Sequence, residues 1–460
     1  MEHGLRQPAE QLFGTDGIRG TANRHPLTPT VAVAVGAIAA SALTRGEKRK
    51  IVVGRDPRIS SELLESALVA GILSAGVDVV RLGVLPTPAV GELARQIGAA
   101  GGLMVSASHN PFPDNGIKLF GPDGAKISEE TEEDIASRLP AYPWLSSEGP
   151  TGALVGRLQP LAQARELYLD ALRRQWPKGI DLSRLRIAVD AANGAVSDLV
   201  GPLFASLGAE PFIFSAHPNG ININLDCGSM HPERLAELVR LANADVGLSL
   251  DGDGDRLLCC DHRAEVLDGD DLLAILTLDY HHRDVLAGQT VAVTVMSNLG
   301  LDRMLKQAGV RVLRTPVGDR HVAAAMRAHG LNLGGEQSGH LLLLDQAASA
   351  DGLRAGLEIL RIVSTTGIPL AELRRCWRKY PQRQLNLAVR EKKPLEEMPK
   401  VKETVAEAER VLEGEGRVLL RYSGTEPKIR LLIEGPDPGV LEQWEERLLA
   451  ALRNEEIVVS

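Results

Sequence analysis

The chain has 460 residues, a length that corresponds to about three domains. Its 44% hydrophobic and 24% charged content is that of an ordinary globular protein. The 60 acidic residues outnumber the 51 basic ones, for a net charge of −9; this argues against nucleic-acid or anionic-membrane partners, which need a basic surface, and leaves anionic small substrates open.

The first residues, MEHGLRQPAEQ, hold no apolar run of the kind a secretion signal needs. FGTDGIRG (13–20) reads either as a plain glycine turn or as a loop that brings Arg19 to a phosphate. TVAVAVGAIAASAL (30–43) is too short and alanine-rich to span a bilayer. It follows Thr28-Pro29, a good cap and first-turn pair, and is predicted as an ordinary helix. Four cysteines, Cys227, Cys259, Cys260 and Cys376, have no CxxC spacing, which fits a reducing, cytoplasmic setting without a disulfide framework.

One pattern then recurs three times. A short β-branched strand opens each copy: KIVVGRD (50–56), LRIAVDAANG (185–194) and QTVAVTVMSN (289–298). A helical stretch, a second strand and a third apolar strand follow, the last running into a small-residue loop: GGLMVSASHNP, ADVGLSLDGDGDR and LNLGGEQSGH. Strands alternating with helices mean α/β layers. The fold expected is α/β: three similar mixed α/β domains plus a smaller C-terminal α+β domain around one central cleft. The expected boundaries are 1–157, 158–263, 264–379 and 380–460. Ligands in open α/β sheets bind beyond the carboxyl ends of strands, where all three loops fall.

The most explicit chemistry is SLDGDGDR (249–256). Asp251, Asp253 and Asp255 repel one another unless a cation lies among them, and the intervening glycines let the backbone curl to aim all three at one point. Oxygen-only ligands suit a hard ion, and Mg²⁺ fits. An EF-hand would need Gly at 256 and an acid at 262, where Arg256 and His262 stand. An aspartyl-phosphate phosphatase would want Thr or Val at 255. Arg256 adds a guanidinium suited to phosphate. RYSGTEPKIR (421–430) is a second phosphate cradle by composition, with hydroxyls at Ser423 and Thr425, a flexible Gly424, and cations at Arg421, Lys428 and Arg430. GGEQSGH (334–340) offers Glu336 and Ser338 to sugar hydroxyls, with a structural turn as its equal alternative. VGDRH (317–321) puts Arg320 in a turn, and HPNGININLDCGSMHPERL (217–235) reads as a structural loop. In SASHNP (106–111) a serine sits beside a histidine, yet no nucleophile elbow or oriented acid accompanies it. Beside a metal cage and phosphate-binding arginines, a serine here is better read as carrying a phosphate.

Together SASHNP, DGDGDR, GGEQSGH and RYSGTEPKIR, in that order and over nearly the whole chain, resemble the α-D-phosphohexomutase superfamily. FGTDGIRG, PNGININ and Gln337 are similar to its bacterial amino-sugar branch, while His321 and Tyr422 depart from that branch's pattern. The resemblance implies four domains around one cleft and interconversion of glucosamine 6-phosphate and glucosamine 1-phosphate. The carrier would be a phosphoserine enzyme and the intermediate a sugar 1,6-bisphosphate. The alternative is the phosphomannomutase/phosphoglucomutase reaction of the same superfamily. It further implies Ser108 as the phosphoserine, with Mg²⁺ held by Ser108, Asp251, Asp253 and Asp255. Arg19 and Arg256 would steady the phosphate, and His109 and Lys118 would give acid–base or electrostatic help. Glu336 and Ser338 would hold the sugar, and Arg421, Ser423, Gly424, Thr425 and Arg430 the non-reacting phosphate. The partner expected is a small phosphosugar; the sequence leaves a homodimer open and expects neither nucleic acid nor membrane.

Overall fold

The computed structural model describes residues 12–14, 16–44, 50–140, 142, 149–412, 414–422, 427–455 and 457–458. The chain divides into two compact units: Met1–Met296 with Val312–Arg375, and Ser297–Arg311 with Cys376–Ser460. Among the described residues no helix is long and apolar enough to cross a membrane.

The repeat predicted from sequence is present as three sheets. In the first, a parallel core places Asp78–Val84, Lys50–Arg55 and Gly101–Val105 side by side. In the second, Phe212–Phe214, Ile187–Asp190 and Val246–Leu250 are in the same order and also parallel. In the third, the order is Arg311–Thr315, Thr290–Thr294 and Leu333–Gly335. Each sheet adds a fourth strand that returns antiparallel to the third: Asp114–Phe120, Leu257–Asp261 and Leu341–Leu343. The central strands are buried along their whole length, which is why they read as continuous apolar runs rather than alternating ones. Ile18–Thr21 pairs with Asp114–Phe120 at one edge of the first sheet. Leu158–Pro160 pairs with Asp78–Val84 at the other, just past the boundary expected at 157.

The predicted helix forms at Pro29–Leu43, and Thr28 Oγ1 accepts from Val31 N as its cap. It packs tightly on Ile59–Ser74 because both helices present glycine at the crossing. A Cβ on Gly36 would lie 2.3 Å from the Leu68 carbonyl oxygen, and one on Gly71 would lie 2.0 Å from that of Val33. Ile51, Val53, Leu64, Leu68, Leu103 and Ile117 build the core beneath them.

The second unit has a three-stranded antiparallel sheet in the order Gln382–Ala388, Lys428–Glu434, Arg417–Tyr422. Helices Pro399–Leu412 and Pro438–Asn454 cover it through Ala408, Leu412, Leu441, Trp444 and Leu448. Helix Leu299–Gln307, predicted as the first crossover of the third repeat, belongs to this unit. The fully buried Glu434 accepts from Leu299 N at 2.7 Å and from Arg417 Nε at 2.9 Å, so a carboxylate satisfies the positive end of that helix.

Candidate active site

In each repeat the polar loop is the turn between the third strand and its antiparallel fourth: 106–113, 251–256 and 336–340. Three copies of one hairpin turn thus supply three different chemistries, all within the first unit.

The turn at 106–113 holds Ser108 fully buried with φ of 53°, a left-handed conformation uncommon outside glycine. Ser108 Oγ donates to Asp251 Oδ2 at 2.5 Å and lies 3.3 Å from His109 Nδ1. Asp251, Asp253 and Asp255 are buried, and one ligand oxygen from each lies within 4.8 Å of the others. Burial, with Asp255 and Asp253 beside it, pushes the Asp251 carboxyl up to about 8. Asp253 Oδ1 is buried without a hydrogen-bond partner. An all-oxygen, charge-crowded cluster with an unsatisfied oxygen fits a hard divalent cation.

Lys118 enters from the fourth strand, Asp114–Phe120. It is 1% exposed, and its Nζ donates to Asp253 Oδ2 at 2.8 Å and Asp255 Oδ2 at 3.0 Å, with Asp16 Oδ2 at 2.9 Å. Burial opposes its charge, but Asp16, Asp253 and Asp255 outweigh that and hold the ammonium well above its usual range.

Arg19 pairs with Asp16 and reaches Asn110 Oδ1 at 3.5 Å. His109, by contrast, is driven to neutrality: burial, then Arg256 and Arg19, lower it to about 3. A cavity of about 370 Å³ is lined by Arg19, His109, Arg256, Glu336, Ser338 and His340, among others. The Nε atoms of Arg19 and Arg256 are buried and make no hydrogen bond. Glu336 Oε1 accepts from Gly318 N at 2.9 Å, and its Oε2 lies 3.3 Å from His340 Nδ1. Ser338 is exposed in the same cavity.

Several residues of this centre were not singled out from sequence. Asp16 binds Arg19, Lys118 and Lys126, and they outweigh burial to hold its carboxyl well below the usual range. Thr87 donates through both Oγ1 and N to Asp253. His340 closes the third loop onto the second: its Nε2 is 3.0 Å from Asp255 Oδ1, and its backbone bridges Arg256. Burial disfavours its charge, but Asp255 raises it to about 10. Asp16 and His340 stand inside motifs already read, but only their neighbours had been marked. Arg320 is not in a turn; it begins helix Asp319–His329, pairs with Glu132 and lines a neighbouring cavity. The segment 217–235 is a loop only as far as His231, because Pro232 opens helix Pro232–Ala242.

In the second unit Arg421 and Arg430 are direct cross-strand partners. Like charges placed opposite each other repel. Burial and Arg430 both lower the Arg421 guanidinium. Ser423, Gly424 and Thr425 of the same predicted cradle lie outside the described residues.

Comparison with known proteins covers the whole arrangement. The phosphoglucomutase/phosphomannomutase α/β/α domains I, II and III match residues 10–144, 166–265 and 268–380, and the C-terminal domain of that family matches 385–451. A phosphoglucosamine mutase of Brevibacillus brevis is 44% identical over 448 residues, covering 97% of this chain and 99% of its own. One from Agrobacterium fabrum is 45% identical, covering 95% and 96%. The crystal structure of a phosphoglucomutase/phosphomannomutase family protein from Burkholderia thailandensis superposes with a TM-score of 0.81 at 26% identity, covering 97% of each chain. N-acetylphosphoglucosamine mutase of Aspergillus fumigatus, solved with GlcNAc-6P and magnesium, shares the fold with a TM-score of 0.68 at 19% identity, over 96% of this chain and 95% of its own. The chain belongs to the phosphoglucomutase/phosphomannomutase family.

Proposed function

We propose that this member of the family is a cytoplasmic phosphoglucosamine mutase, interconverting glucosamine 6-phosphate and glucosamine 1-phosphate with Ser108 as a reusable phosphate carrier. The observation that carries the reading is Ser108 Oγ at 2.5 Å from Asp251 Oδ2, inside a buried triad of carboxylates. Relatives of that name at 44–45% identity support the amino-sugar substrate.

Phosphoryl transfer asks a protein mainly for positioning and charge stabilisation. A free sugar hydroxyl attacks the phosphorus on Ser108: the sugar O–P bond forms, the Oγ–P bond breaks, and the proton lost by the sugar hydroxyl is matched by one gained at Ser108 Oγ. The resulting 1,6-bisphosphate reverses in the site and returns its other phosphate to Ser108. Arg19 and Arg256, which line the cavity, bind the transferring phosphoryl oxygens. Lys118 keeps its proton and balances the carboxylates on its side of the cage. His109, held neutral 3.3 Å from the carrier oxygen, is placed to hydrogen-bond that oxygen at Nδ1 rather than to carry a charge there. A bound Mg²⁺, held by Asp251, Asp253, Asp255 and a phosphoserine oxygen, would supply Lewis-acid neutralisation of the phosphoryl charge. Glu336 and Ser338 orient sugar hydroxyls. Arg421 and Arg430, with Ser423, Gly424 and Thr425, are assigned the phosphate that is not being transferred.

The test is a parallel assay of glucosamine, glucose and mannose 6-phosphates, with peptide mass spectrometry of the isolated enzyme. The expected result is highest catalytic efficiency on the amino sugar and phosphate on Ser108. Higher efficiency on mannose or glucose phosphate would move the chain to the phosphomannomutase/phosphoglucomutase reaction. A phosphoaspartate with Ser108→Ala fully active would remove the carrier mechanism.

A further inference from the structure

Two residues that fix Ser108, Arg58 and Asn224, were given no chemical role from the sequence. Arg58 is 1% exposed at the start of helix Ile59–Ser74. Its guanidinium makes five hydrogen bonds, the full donor capacity of the side chain. Nε donates to Asp56 Oδ2 at 2.8 Å. Nη1 donates to the carbonyls of Pro111 at 2.6 Å and Asp114 at 3.1 Å. Nη2 donates to the carbonyls of Ser108 at 2.9 Å and Asn110 at 2.8 Å. One buried cation thus gathers four carbonyls of the carrier turn. Asp56, in turn, accepts from Ser106 Oγ at 2.7 Å, and Ser106 Oγ accepts from Ser108 N at 3.0 Å.

A second grip comes from the neighbouring repeat. Asn224, in the segment read from sequence as a structural loop, donates from Nδ2 to the carbonyls of Ser108 at 2.9 Å and Asn110 at 3.2 Å. These are the same two carbonyls that Arg58 Nη2 holds, so each receives one donor from its own repeat and one from the next. Gly252 of the metal loop closes the arrangement. A Cβ there would lie 2.7 Å from both Asn224 Nδ2 and the Ser108 carbonyl oxygen. The carrier turn, the Asn224 loop and the metal loop therefore meet at one point.

We infer that Arg58 and Asn224 are positioning residues for phosphoryl transfer: a two-sided clamp that holds Ser108 in its left-handed conformation and sets its oxygen against the carboxylate cage. The inference rests on the mutase reading and adds the groups that make its geometry reproducible. A left-handed non-glycine residue costs about 1–3 kcal/mol, and persists only where surrounding bonds over-determine it. Rates of transfer fall steeply when a reacting group is displaced by about 1 Å.

The experiment compares Asn224→Ala and Arg58→Lys with the wild-type full chain. It measures kcat and KM for glucosamine 6-phosphate, the melting temperature, and amide hydrogen exchange of residues 108–114. Asn224→Ala should lower kcat about 10–100-fold, leave KM within about twofold because the sugar contacts are elsewhere, leave the melt nearly unchanged, and speed exchange in 108–114. Arg58→Lys keeps the charge but loses the fork, and should do more; should it fail to fold, Asn224→Ala decides alone. Unchanged kcat and unchanged exchange in Asn224→Ala would overturn the inference, as would a loss of kcat explained by a lower melting temperature. A wild type without mutase activity or phosphate on Ser108 would instead sink the mutase reading, and the exchange measurement would still judge the clamp.

Discussion

Replacing Lys118 by Met tests how the carboxylate cage is balanced. The ammonium lies 2.8–3.0 Å from Asp253, Asp255 and Asp16 and is 1% exposed. At such distances each pair is worth about 5 kcal/mol even at an effective dielectric near 20, before desolvation is subtracted. Measured costs of removing one partner from a buried pair run to about 3–5 kcal/mol, because the remaining charge is left uncompensated. At about 2 °C per kcal/mol for a unit of this size, Lys118→Met should melt roughly 6–10 °C below wild type in chelator. Saturating Mg²⁺ should narrow the gap, because a cation that binds only the folded cage stabilises it by mass action. Mutase activity should fall at least about 100-fold even when Mg²⁺ has restored the melt. Scanning calorimetry in EDTA and in Mg²⁺ reads the first part. A variant that melts with wild type in EDTA would refute the charge balance argued here.

Asp253→Asn should lose metal-dependent activity by about 100-fold or more while Ser108 stays in place, checked by activity against Mg²⁺ concentration and by isothermal titration with Mg²⁺. His109 should remain neutral from pH 9 down to pH 5 in histidine NMR; an inflection near 6.5 would contradict its burial between Arg256 and Arg19. The sign follows: its folded value lies below the unfolded one, so stability from neutral His109 is complete above about 6.5 and is lost as pH falls toward about 3. Arg421→Gln should relieve a cross-strand repulsion and leave the second unit as stable or more so by about 0.2–1 kcal/mol. The same change should raise KM for the sugar phosphate about tenfold, readable in one melt and one kinetic series.

Much of this centre was legible because its chemistry comes in short runs. Alternating aspartates and glycines announce a cage, and buried strands such as Lys50–Arg55 and Val246–Leu250 announce themselves by β-branched or leucine-rich runs. The fourth strand of the first sheet did not. Asp114, Asn115 and Gly116 look like a turn, yet Asn115 is fully buried and its amide bonds Ser60 and Ser61 at 2.9 and 3.0 Å. Tertiary hydrogen bonds there override local propensity. Arg58 and Asn224 were invisible for a different reason: their partners lie 50–116 residues away, and no local spacing records them. Leu299–Gln307 is likewise tied to the second unit by distant partners: Glu434 at Leu299 N, Tyr380 at Asn298, and Glu415 at Arg303.

The backbone at Ser108 also decides which amino acids could take the carrier role proposed for it. Chemically, threonine offers the same hydroxyl and forms the same phosphate ester. At φ of 53°, however, a β-branched side chain is a true steric outlier, because its second γ substituent crowds the backbone. Glycine would relax the turn but has no oxygen to phosphorylate. The left-handed turn therefore admits serine alone among the hydroxyl residues that are small enough to enter, and a substitution silent on paper becomes a change of conformation.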